Sequence, residues 1–119
     1  MTNQSTPIVN QFVGMIKTEP FENSIEKLEK CAESVIRNLD LNIVKKVSHM
    51  FLPQGITLVY ILFESHIVVH TWPELGIIHV DMVTCSLRTK KEFESSLKYA
   101  FTEYSPSSTE VKSVEFDKL

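Results

Sequence analysis

The chain has 119 residues, 43% of them hydrophobic and 23% charged, with a formal net charge of −3. That length suits one domain rather than two, and the composition is globular rather than disordered. The slight acidity offers no electrostatic footprint for nucleic acid or an anionic membrane, and no apolar run nears the roughly 18 residues of a membrane span.

Two cysteines, Cys31 and Cys85, can close at most one bridge, so reduced thiols in a cytoplasmic protein are expected. The opening MTNQSTPIVNQF lacks the basic start and apolar core of a signal peptide, so no leader is expected. Residues 1–6 are polar and expected to fray.

PIVNQFVGMIKT, Pro7 to Thr18, reads as a first strand. Asn23 or Ser24 then caps a helix, in which Ile25, Leu28, Ala32, Val35, Ile36 and Leu39 form one apolar stripe beside Cys31. Asp40 and Asn42 end it. Leu41 to Phe51 is a second strand, followed by the turn Pro53-Gln54-Gly55. Ile56 to Phe63 is so apolar that a central, buried strand is expected. The polar pair Glu64-Ser65 separates it from a strand at His66 to Thr71. Pro73-Glu74-Leu75-Gly76 turns the chain into Ile77 to Cys85. Thr89 caps a second amphipathic helix carrying Phe93, Leu97, Ala100, Phe101 and Tyr104. After the loop Ser105 to Ser108, Thr109 to Phe116 alternates as a final strand.

The order β-α-β-β-β-β-α-β predicts a single α+β domain over 1–119. Short connections imply a two-layer sandwich, a mostly antiparallel sheet with two helices on one face. Such a pattern fixes no function by itself.

The stretch ESHIVVHTWPE, Glu64 to Glu74, places unusual chemistry in a strand. His66, Val68 and His70 point one way, and Ile67, Val69 and Thr71 the other. One reading is a core strand whose histidines are satisfied by neighbours. A metal site from His66, His70, His79 and Asp81 competes, but HxxxH works as a ligand pair on a helix, so no metal is expected. A serine hydrolase lacks its G-x-S-x-G elbow.

The whole constellation resembles the prokaryotic S-adenosylmethionine decarboxylase proenzyme family, which is pyruvoyl-dependent. The matching residues are Phe51, Gly55 and Thr57, then Glu64-Ser65-His66, His70-Thr71-Trp72-Pro73-Glu74, Gly76, Val80-Asp81 and Thr84-Cys85.

The resemblance implies autocatalytic cleavage between Glu64 and Ser65, giving chains 1–64 and 65–119. Ser65 would become the pyruvoyl group that forms a Schiff base with substrate. His70 would be the processing base, and Thr57 would stand where the family usually has a processing serine. Cys85 would be the proton donor. Phe51 and Trp72 would line the nucleoside and sulfonium site, and Glu74 would take the ribose hydroxyls. The implied activity supplies the aminopropyl donor for spermidine, from a homodimer acting on a small molecule, without nucleic acid or membrane.

Three departures stand out. Gly14-Met15-Ile16 lacks the histidine of the family's Gly-x-His element, Ser86 replaces a common glycine, and Ile77-Ile78-His79 replaces small residues. Two alternatives therefore remain: a pyruvoyl-dependent decarboxylase of arginine or ornithine, and a non-processing paralogue that binds a partner enzyme. Trp72 and Glu74 favour the nucleoside substrate, since a bare amino acid needs neither.

Overall fold

Apolar residues recur with a period of two in the strands and of three to four in the helices, and the fold follows that pattern. A computed structural model describes residues 8–115. Its elements are β1 (Asn10–Lys17), α1 (Ile25–Asn38), β2 (Ile43–Met50), β3 (Ile56–Leu62), β4 (Ser65–Trp72), β5 (Ile77–Thr84), α2 (Lys90–Ala100) and β6 (Ser108–Val114). One-turn 3₁₀ segments at Pro73–Leu75 and Thr102–Tyr104 follow β4 and α2. The expected element order and the α+β sandwich are both present. Residues 1–6, Pro7 and Phe116 lie outside the described residues.

The six strands form one antiparallel sheet in the order β2-β3-β4-β5-β1-β6. From α1, Leu28, Cys31, Ala32, Val35 and Ile36 are buried, and from α2 Phe93 and Leu97. They share one core with Ile16, Leu58, Tyr60, Ile67, Val69, Val80 and Met82 of the strands. Burying each large side chain of this kind contributes about 1.5–3 kcal/mol. Gly14 lets α2 press onto β1, since a Cβ there would lie 2.4 Å from Leu97 Cδ1.

The helix ends obey local chemistry. Ser24 Oγ accepts from the Lys27 N–H, and Thr89 with Glu92 makes a complete capping box. Asp40, at φ 57°, takes the left-handed conformation that closes α1. Both cysteines are free, and burial pushes the Cys31 thiol up to about 11.

The structure departs from expectation in β3, which is neither central nor buried on both faces. It lies second from an edge, with Ile56, Leu58, Tyr60 and Leu62 under the helices and Ile61 45% exposed on the other face. Helices cover only one side of an antiparallel sheet here, so an apolar run need not mean two buried faces. β2 is shorter than expected, and all of its residues are exposed. Lys46 ties this edge to α1 through Glu29 and Glu33, each at 3.1 Å, and the Tyr60 hydroxyl donates to Glu33 at 2.8 Å. Phe101 and Tyr104 fall beyond α2 yet are buried as its stripe implied.

Strand order also interleaves the two halves of the chain. β1, from the first half, sits between β5 and β6 of the second, while β3 pairs with β4 across the midpoint.

Gly76 is the most tightly enclosed of the three glycines. Its φ is 65°, and a Cβ would lie 2.1 Å from the Thr18 carbonyl oxygen, whose own N–H donates to the Gly76 carbonyl at 2.7 Å. Gly76→Ala is expected to destabilise the fold by about 1–3 kcal/mol or more. A urea midpoint that falls with unchanged slope is the measurement that checks it.

Candidate active site

β4 sorts its side chains by parity. Ile67, Val69 and Thr71 are buried under the helices, whereas His66, Val68, His70 and Trp72 look out from the open face of the sheet. The expected alternation is therefore present, but the histidines line an uncovered surface rather than a core.

The amino end of β4 holds the candidate cleavage bond. Phe63-Glu64 forms the two-residue turn from β3, so Leu62 pairs with Ser65. Glu64 is left-handed at φ 59°, a conformation costing a non-glycine residue roughly 1–2 kcal/mol. Ser65 shares the parity of Ile67. Its hydroxyl donates to Thr84 Oγ1 at 3.3 Å and accepts from the Cys85 N–H at 3.1 Å. Thr84 is fully buried and meets the Ser86 hydroxyl at 3.0 Å, while the Ser86 N–H donates back to Thr84 Oγ1 at 3.2 Å. Ser65 and Cys85 thus meet because β4 and β5 are neighbours in antiparallel register.

The far end of β4 holds a second group. Thr57 and His70 are direct cross-strand partners, with Oγ1 2.5 Å from Nδ1. The His70 ring lies 4.3 Å from Trp72 and 5.8 Å from Phe51, centroid to centroid. His49, which the sequence did not single out, meets the edge of Phe51 at 4.6 Å. His79 faces His70 from β5. Burial, then the neighbouring His79, holds the His70 imidazole below its ordinary 6.5, favouring the neutral ring that a base requires. Glu74 sits exposed in the 3₁₀ turn two residues beyond Trp72.

Thr57, His70, Phe51 and Trp72 are therefore brought together, and so are Glu64, Ser65 and Cys85. The two groups do not meet within one chain. Five strand steps separate Ser65 from His70, about 16 Å, and the side chains leave opposite faces. A hollow of about 830 Å³ lies elsewhere, between the end of α1 and the start of α2, lined by residues such as Leu39, Arg88, Thr89 and Tyr99. Among the described residues, no three His, Cys, Asp or Glu side chains are arranged to hold a metal.

The departures fall in different places. Ile16 is fully buried under the helices, so the absent histidine changes the core side of β1. Met15 lies on the open face opposite His79. Met15, His79, His70, Thr57 and His49 then form one row across five strands.

The two-layer sandwich defines a class of fold, and comparison with known proteins agrees. The family model described as S-adenosylmethionine decarboxylase matches residues 16–115, and the chain belongs to that family. The S-adenosylmethionine decarboxylase proenzyme of Clostridium botulinum (strain Loch Maree / Type A3) is 47% identical over 68 residues, 57% of this chain and 55% of the relative. That of Methanococcus maripaludis is 40% identical over 65 residues, 55% of this chain and 53% of the relative. The matched segments thus span about half the length of these curated relatives. The adenosylmethionine decarboxylase from Aquifex aeolicus VF5 superposes with a TM-score of 0.76 at 22% identity, covering 97% of this chain and 95% of that one, a likeness of fold.

The His70–His79 pair sets a pH dependence. Because the fold favours neutral His70, this group's contribution to stability is present above about pH 6.5 and is lost as pH falls through its lowered folded value. His79→Ala should raise the His70 titration midpoint, read from imidazole NMR shifts. An unchanged midpoint would mean the two rings do not communicate.

Proposed function

We propose that the chain is the proenzyme of a pyruvoyl-dependent S-adenosylmethionine decarboxylase that cleaves itself between Glu64 and Ser65. The observation that carries this reading is the junction of Ser65 with Cys85 beside a left-handed Glu64. The Ser65 hydroxyl attacks the Glu64 carbonyl, moving the acyl group from nitrogen to oxygen. A base then removes the Ser65 α-proton, and the ester leaves by β-elimination. Hydrolysis of the resulting dehydroalanine releases ammonia and leaves a ketone at position 65.

The base is His70, supplied by a second copy. Within one chain His70 is about 16 Å away on the other face. The open face also carries Met15, Val47 and Ile61, each 43–50% exposed, an apolar surface suited to a two-fold partner. Face-to-face pairing completes each site with Thr57 and His70 from the other copy. The interleaved strands keep chains 1–64 and 65–119 in one sheet after the cut.

A ketone fits at the start of β4, where the turn leaves the new terminus beside Cys85. The pyruvoyl group supplies an electron sink for the carbanion left when CO₂ departs. Cys85 holds the proton that the product carbon takes. Phe51 and Trp72 stack on the adenine and face the sulfonium, with Glu74 accepting the ribose hydroxyls. The product is the aminopropyl donor for spermidine synthesis. No helix among the described residues is long and apolar enough to cross a membrane.

Denaturing mass measurement should find fragments 1–64 and 65–119, and only uncut chain for Ser65→Ala. His70→Ala should stop at an ester that hydroxylamine cleaves. Mixing unfolded Ser65→Ala and His70→Ala chains and refolding them together should restore elimination in a fraction of the His70→Ala chains. Persistent intact protein from the native sequence counts against the whole reading, and failed complementation against the shared site.

Cys85→Ala should slow CO₂ release from S-adenosylmethionine by about 10²–10⁴-fold. Assays with arginine and ornithine check the substrate. A native protein that prefers either would move the activity to a basic amino acid.

A further inference from the structure

The acyl shift needs an outlet for a proton. As Ser65 Oγ bonds to the Glu64 carbonyl carbon, its hydroxyl must release one. The Ser65 nitrogen gains one when the Glu64 C–N bond breaks, so the step is neutral overall and needs no co-reactant. His70 cannot take this proton within the chain, being about 16 Å away on the opposite face.

We propose that Thr84 and Ser86 form a hydroxyl relay that takes this proton to solvent, so that the first half of maturation runs inside a single chain. The proposal rests on Ser65 being the cleaving residue. Thr84 is fully buried, so it meets no bulk water directly. Ser65 Oγ donates to Thr84 Oγ1 at 3.3 Å, and Thr84 Oγ1 meets Ser86 Oγ at 3.0 Å. Ser86 is exposed, so its hydroxyl hands a proton to water. As Thr84 Oγ1 receives the serine proton, it releases its own to Ser86, and no member of the relay holds a net charge at rest.

One backbone donor and one side-chain donor keep the relay aligned. The Ser86 N–H donates to Thr84 Oγ1 at 3.2 Å, and Asn10 Nδ2 donates to the Ser86 carbonyl at 2.9 Å. The Cys85 N–H, 3.1 Å from Ser65 Oγ, stabilises the charge growing on that oxygen as the proton leaves. Thr84 touches the reacting hydroxyl and acts as a catalytic residue; Ser86 acts through it.

The test uses full-length chain carrying His70→Ala, which halts maturation at the ester. The protein is refolded from denaturant, and ester is scored over time by cleavage with hydroxylamine. Ser86→Ala, Ser86→Gly and Thr84→Val should each slow ester formation by about 10²-fold, the low end of what a positioned proton transfer contributes. Thr84→Ser should restore the rate. The rate should be slower in D₂O, less so in Ser86→Ala, and independent of protein concentration.

Ester formation at the parent rate in Ser86→Ala and Ser86→Gly would overturn the relay, as would a rate rising with concentration. Should Thr84→Val not fold, the two substitutions at exposed Ser86 decide. Absence of ester from the parent His70→Ala chain as well would overturn the cleavage reading, and the relay with it.

Discussion

A β-strand turns its side chains over at every residue and advances about 3.3 Å each time, and β4 is governed by both facts. Its eight residues, Ser65 to Trp72, begin with a serine facing the helix layer and end with an imidazole and an indole on the open face. Neither rotamer changes nor small hinge motions within one chain close a gap of that size. Everything chemically distinctive about the molecule is therefore arranged at two poles of one strand. β3 and β5 complete each pole from either side, with Thr57 at one end and Thr84 and Cys85 at the other.

Covering one face and leaving the other bare serves this arrangement. The helix layer fixes the twist and position of the sheet through Leu97 over Gly14 and Phe93 stacked on Phe12 at 5.4 Å. The bare layer presents aromatic and imidazole groups, with Phe51 and Trp72 partly exposed. His70 is the most constrained of them, held by Thr57 and flanked by Trp72 and Phe51. Burial, then the neighbouring His79, favours its neutral form in that fixed orientation.

Much of this was legible from the residues. The periodicities gave every element in order, and the parity of His66, Val68 and His70 followed from strand geometry. The apolar run Ile56–Phe63 misled because periodicity cannot distinguish burial on one face from burial on two. Moving the turn by one residue shifts the β3–β4 register by two. A turn at the polar pair Glu64-Ser65 would set His70 opposite Val59, whereas the observed turn at Phe63-Glu64 sets it opposite Thr57. The left-handed Glu64 decides between them, and an exposed phenylalanine in a turn is a poor sequence signal. The insertion of β1 between β5 and β6 was illegible because it depends on contacts distant in sequence. Ser65 and Cys85 came together only through resemblance to a family. Thr84 and Ser86 were visible there as letters, and His49 not at all; hydrogen bonds and ring geometry gave them their roles.

The interleaved strand order has a thermodynamic consequence once a chain is cut at the β3–β4 turn. Before the cut, unfolding is unimolecular, and the two halves meet at an effective concentration set by their tether. Afterwards each folded unit unfolds into two separate polypeptides, so its stability depends on their concentration. The sheet itself is unaltered, with β1 still gripped by β5 and β6. What changes is the way back: refolding must recruit a lost fragment from solution. A cleaved protein of this topology is thus most vulnerable when dilute, where dissociation of either fragment becomes hard to reverse.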